Sequence, residues 1–92
     1  MRSKQTELFG QIVEVKELPL SWLADNLEFN SGDLKSIGSA VAVCVFASGQ
    51  RLFASGQDLL DSLGASEIDE LKKAMLLIIE LSGLSPDQKK TV

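Results

Sequence analysis

The sequence contains no histidine and only one cysteine, Cys44. Without histidine there is no imidazole to serve as a general base near neutral pH, and no His-ligated metal site. One cysteine cannot form a disulfide within the chain. Cys44 lies in an apolar run, which reads as a small buried core residue in a reducing compartment rather than a reactive thiol. A dense basic cluster is missing too: the 9 Lys and Arg are scattered, and the net charge is -4. Phosphate contacts need a concentrated basic face, so nucleic-acid binding is not expected. The longest apolar runs, Ala40–Ala47 and Ala74–Ile79, are too short to cross a membrane. The basic residues near the N-terminus have no apolar run behind them, so no signal peptide is expected. There are no internal repeats and no low-complexity tracts.

What is present suits one small globular domain. The chain has 92 residues, 45% of them hydrophobic and 24% charged, which argues against disorder. A domain of this size buries a modest share of its surface, so its stability is limited. The polar stretch 1–7 reads as a flexible N-terminus, 8–85 as the domain and 86–92 as a flexible polar tail. Leu8 to Glu17 mixes Ile12, Val13 and Val15 with charged residues and reads as a short strand. Pro19 suits the first turn of a helix in which Leu20, Leu23 and Leu27 recur at helical spacing. Asn30 or Ser31 can cap the next helix, with Asp33 in its first turn. Leu34, Ile37, Val41 and Cys44 or Val45 follow at helical intervals, predicting a helix that stops near Phe46. In the alternative, Val41–Phe46 is a strand that Ser48-Gly49 turns into a hairpin with Arg51-Leu52-Phe53.

A short helix is predicted over Gln57–Leu63, with Leu59, Leu60 and Leu63 inward and Gly64 at its end. The last helix starts at the N-cap Ser66, with Glu67 and Asp69 in its first turn. Gly83 supplies the left-handed closing residue, Leu84 packs back, and Pro86 prevents continuation. The expected fold is mainly α: a small helical domain with a short N-terminal strand, the small hairpin remaining the alternative.

Winding the last helix at 100° per residue separates its faces. Ile68, Leu71, Met75, Ile78 and Ile79 gather on one side as the core face; Asp69, Lys73 and Glu80 mark the other. Leu76 falls at the edge of the charged stripe, and Leu77 and Leu81 widen the apolar surface on the other flank. Burying one leucine is worth roughly 1.5–3 kcal/mol, so three left exposed form a sticky patch. Either another segment of the chain covers them, or a partner or second copy does. Leu76, Leu77 and Leu81 are therefore the candidate protein-binding residues.

No catalytic, cofactor or metal site is expected. Cys44 has no histidine to activate it. Asp58, Asp61, Glu67, Asp69 and Glu70 read as charged helix surface, without calcium-loop spacing, and the glycines form no phosphate cradle. Asp61-Ser62-Leu63 matches the Asp-Ser-Leu of acyl carrier proteins in letters. There the serine begins a helix, whereas here Ser62 ends one.

The second half carries a more specific order of features. It runs Ala42-Val43-Cys44-Val45-Phe46, then Gly49-Gln50-Arg51-Leu52-Phe53, then Asp58-Leu59-Leu60, Leu63, Ile68 and Leu71, and ends Ile79-Glu80-Leu81-Ser82-Gly83-Leu84-Ser85. This resembles the tail assembly chaperones of long-tailed, lambda-like bacteriophages. Their members show an apolar helix ending in a Cys-Val-like run, a Gly-x-x-Leu-Phe turn, a short helix, and a long helix ending Glu-Leu-Ser/Asn-Gly-Leu. The first strand and the Glu17-Leu18-Pro19-Leu20 lead-in fit as well, so the resemblance covers Leu8 to Ser85. Ala47-Ser48 departs from the acidic residues that many members carry before the turn, which puts the subfamily in doubt.

The resemblance implies a cytoplasmic, non-enzymatic protein that binds the tape measure protein and keeps it soluble. It also implies tail tube recruitment through a frameshift-extended form, for which Lys89-Lys90 is a candidate slippery stretch. Weak self-association is expected, with no cofactor, nucleic acid or membrane involved. The alternative from another class is a homodimeric helical regulatory or interaction module of phage or bacterial origin.

Overall fold

A computed structural model of the chain describes residues 2–26 and 32–84. The elements run β1 (Ser3–Leu8), β2 (Gln11–Lys16), α1 (Leu20–Asp25), α2 (Leu34–Cys44), β3 (Val45–Ala47), β4 (Gln50–Arg51), α3 (Gly56–Ser62), a 3-10 turn (Ala65–Glu67) and α4 (Ile68–Leu81). The expectation of a mainly α fold is overturned. The protein is a small α+β domain, with 53% of the described residues helical and 22% in strands, the strands forming an antiparallel sheet in the order β1-β2-β3-β4.

Two tight turns explain the extra strands. Phe9 and Gly10 have φ of 54° and 79°, and Ser48 and Gly49 have φ of 53° and 82°. Two successive left-handed residues are what a type I′ hairpin turn requires, and its twist matches that of the flanking strands. The first turn folds Ser3–Leu8 onto β2 in the register Ser3↔Lys16 to Leu8↔Gln11. The segment 1–7 was expected to be loose, but from Ser3 onward it is strand. Its polar side chains hid this, since only Leu8 of β1 reaches the core. Phenylalanine is unfavourable at positive φ. Here the ring of Phe9 meets Phe53 edge-on at 5.6 Å, so burial offsets the backbone cost.

The ambiguous segment 41–46 is divided. Val41–Cys44 is helix, and the chain passes directly into β3. Val45 pairs with Val15, and both are completely buried. This cross-strand contact overrides the helical continuation towards Phe46. The hairpin alternative holds for Val45 to Arg51 only, with Ser48-Gly49 as its turn.

Several expected caps shift. Pro19 is the N-cap of α1 rather than a residue of its first turn, and Leu20 is 83% exposed. Asp33 caps α2, its carboxylate accepting from Ser36 N at 3.1 Å. Ser55 caps α3, accepting from Asp58 N, and Asp58 reaches back to Ala54 N. Ser66 does not cap α4; it lies inside the 3-10 turn, where Glu67 Oε1 accepts from Gly64 N at 3.1 Å. Leu27, Asn30, Ser31, Pro86 and the expected tail lie outside the described residues.

The end of α4 follows the expectation. Gly83 has φ of 75°. Leu84 N donates to Ile79 O at 3.0 Å and Gly83 N to Glu80 O at 3.2 Å, the two bonds of a Schellman close. A Cβ on Gly83 would meet nothing within 4 Å. Gly83→Ala should therefore lower stability by about 1 kcal/mol, through backbone strain alone, as read from urea unfolding.

The core lies between the sheet and the helices. Leu8, Val13, Val15 and Val45 are buried on the inner sheet face, and Ile37, Val41, Leu71, Ala74, Met75, Ile78 and Ile79 are buried on α2 and α4. The C-terminus of α4 is tied to the hairpin base: Ser82 Oγ accepts from Leu18 N at 2.9 Å and Leu81 O accepts from Arg2 Nη1 at 3.2 Å. Trp22 Nε1 donates to Ser39 Oγ, joining α1 to α2. Among the described residues, no helix is long and apolar enough to cross a membrane.

Candidate functional site

The inward stripe of α4 (Leu71, Ala74, Met75, Ile78, Ile79) is buried against α2 and the sheet. A second stripe, Ile68, Lys72 and Leu76, repeats every four residues and therefore shares one side of the helix. Ile68 is 36% exposed and Leu76 57%. Leu34, in the first turn of α2, is 45% exposed. These side chains rim an open groove of about 450 Å³, floored by Ile37, Met75 and Ile79, with Gly32 at its edge. A smaller hollow of about 140 Å³ adjoins it, lined by Leu60, Leu63 and Leu71 among others; Leu34 and Ile68 border both. The result is one apolar trough running from α3 along the seam of α2 and α4.

The groove is almost without charge. Among the described residues, Lys72 is its one ionisable lining residue. Large apolar side chains in a concave surface, with few polar groups, describe a binding surface better than a reaction centre. The other exposed large apolar residues, Ile12 and Leu20, do not line it.

The three candidate residues do not come together. Leu76 stands on the groove rim. Leu77 and Leu81 are half-buried and pack against the core, and the carbonyl of Leu81 is bonded to Arg2 near the hairpin base. For these two, coverage from within the chain accounts for the apolar flank. Neither Leu34 nor Ile68 was expected at the rim: the spacing in α4 put Ile68 on the core face, and Leu34 was read only as part of the helical repeat of α2. Their position every fourth residue with Leu76 was a usable signal for Ile68. Nothing local could place Leu34 opposite them.

Cys44 is completely buried at the end of α2. Burial pushes its thiol up from 9.0 to about 12, opposed in part by the charge of Arg51. The unfolded chain releases this proton at lower pH than the folded one. The resulting stabilisation is thus complete below about pH 9.0 and is lost as pH rises towards 12. At pH 8 a disulfide reagent should label native protein only at the rate of unfolding, and denatured protein at once. Rapid native labelling would contradict the burial. Among the described residues, no group of three or more His, Cys, Asp and Glu could hold a metal ion.

No protein-family model, curated protein or solved structure matches this chain.

Proposed function

We propose that this protein binds apolar helical segments of other proteins, in the manner of the tail assembly chaperones it resembles. The client would be a long helical protein of the tape measure type, which the chaperone keeps soluble during phage tail assembly. The observation that carries the reading is the trough along α2 and α4, apolar in its walls and open to solvent. An amphipathic helix laid in it covers Leu34, Ile68 and Leu76 and buries its own apolar stripe. Many copies along one client would act collectively through effective concentration. Recruitment of tail tube subunits by an extended form belongs to the same reading.

A closed homodimer through this groove is the weaker alternative. A two-fold axis pairing the α4 stripes antiparallel brings Ile68 against Leu76 of the second copy. It also sets the two Lys72 side chains together at the centre, where like charges repel. Self-association is therefore expected to be weak. The test is co-expression with the tape measure protein encoded beside this gene in a long-tailed phage or prophage. The native chain should bring the client into the soluble fraction and co-purify with it, while Leu76→Glu should leave the client insoluble. Equal client recovery with and without the native chain contradicts the proposal.

A further inference from the structure

We propose that Lys72 reads the charge of the bound helix, so that the groove selects an amphipathic helix whose apolar stripe carries a carboxylate at its middle. The inference rests on the helix-binding reading above and specifies the client's chemistry. Lys72 lies four residues from Ile68 and four from Leu76, in the centre of the exposed stripe. A helix covering both apolar residues encloses the Lys72 ammonium between them. Among the described residues no carboxylate lines the groove and Lys72 makes no ion pair; Glu67 lines the adjoining hollow, where its Oε1 accepts from Gly64 N. Asp33, the N-cap of α2, is already engaged, accepting from Ser36 N and Ser36 Oγ.

An ammonium taken out of water without a partner is unfavourable, so the client must supply the opposite charge. A glutamate meeting Lys72 gives a charge-assisted contact in partly excluded solvent, whereas a lysine there is repelled. The length of the occupant follows from the groove. Ile68 to Ile79 spans about 16 Å of helix, or about three turns. The occupant is then an amphipathic helix of about 12 residues with apolar positions i, i+3 or i+4, and i+7, and an acid flanking the middle turn.

The test uses the whole chain and three labelled helical peptides of this pattern, identical except for Glu, Gln or Lys at the flanking position. Fluorescence anisotropy at low salt should show the Glu peptide binding about 10-fold tighter than the Lys peptide, a difference of about 1.4 kcal/mol. The gap should shrink as salt is raised. Lys72→Glu should reverse the order and Lys72→Gln should abolish it; Lys72 is solvent-facing, and thermal melts confirm folding of both variants. If all three peptides bind equally and Lys72→Glu changes nothing, the charge selection is overturned while the groove still binds helices. If none binds, both the selection and the helix-binding reading fall. A concentration-dependent dimer lost in Leu76→Asn, with no peptide binding, assigns the groove to a second copy and overturns the proposal.

Discussion

Ile78→Ala should cost about 2–5 kcal/mol of folding free energy, while Leu76→Ala, two residues away on the same helix, should cost under about 0.5 kcal/mol. Ile78 is completely buried where α4 meets the core. Truncating it removes three carbons' worth of apolar contact and leaves a hole that the packed neighbours close only in part. Leu76 is 57% exposed, so its side chain keeps much of its water in the folded state and little burial is lost. A chain of this length has a total stability of about 5–14 kcal/mol, so the first change removes a large fraction of it. Urea unfolding of the two variants side by side decides the matter. Comparable losses would mean that Leu76 is structural and would remove the rim of the proposed groove.

The second large effect is expected at Gly56, the first residue of α3. A Cβ placed there would stand 2.9 Å from both Ser39 Cα and Ser39 N, and 3.3 Å from Gly38 C. These are backbone atoms of α2 and cannot rotate away. Gly56→Ala must push α3 off α2, at a cost of about 1–3 kcal/mol. Gly38 faces the same crossing from the other side, but its Cβ would meet Leu60 Cγ at 3.1 Å. That side chain is half-buried and can shift. Alanine also favours the helix interior by about 1 kcal/mol over glycine, so Gly38→Ala should come out near neutral. Thermal melts of the pair should therefore differ, with Gly56→Ala the less stable. Because α3 supplies Leu60 and Leu63 to the smaller hollow, Gly56→Ala should also weaken helix binding. Equal behaviour of the two variants would contradict the close helix crossing.

Local patterns in the sequence were enough to read parts of this fold. The four-residue recurrence in α4 identified its buried stripe, and the Gly83-Leu84 close of that helix follows directly from residue chemistry. Ser48-Gly49 was recognisable as a hairpin turn, whereas Phe9-Gly10 was not. Phenylalanine at positive φ is stabilised by Phe53, a contact more than forty residues away along the chain, and no short window contains it. Missing that turn meant missing β1, and with it the sheet. Val45 and Phe46 likewise became strand only because Val15 and Glu14 lie beside them. The candidate groove was half legible. Leu76 was identified as exposed from the faces of one helix. Its companion Leu34 comes from another helix, and the separation of Leu77 and Leu81 from it depends on the hairpin base that covers that flank.

The proposal places a client helix in the trough between α2 and α4. Chemical-shift mapping tests it directly: the isotope-labelled chain is titrated with an amphipathic helical peptide carrying the acidic flank, and amide and methyl shifts are followed residue by residue. Shifts should concentrate at Leu34, Ile37, Ile68, Lys72 and Leu76, with the outer sheet face around Ile12 and Glu14 unmoved. Shifts centred on the sheet, or on Leu77 and Leu81, would contradict it.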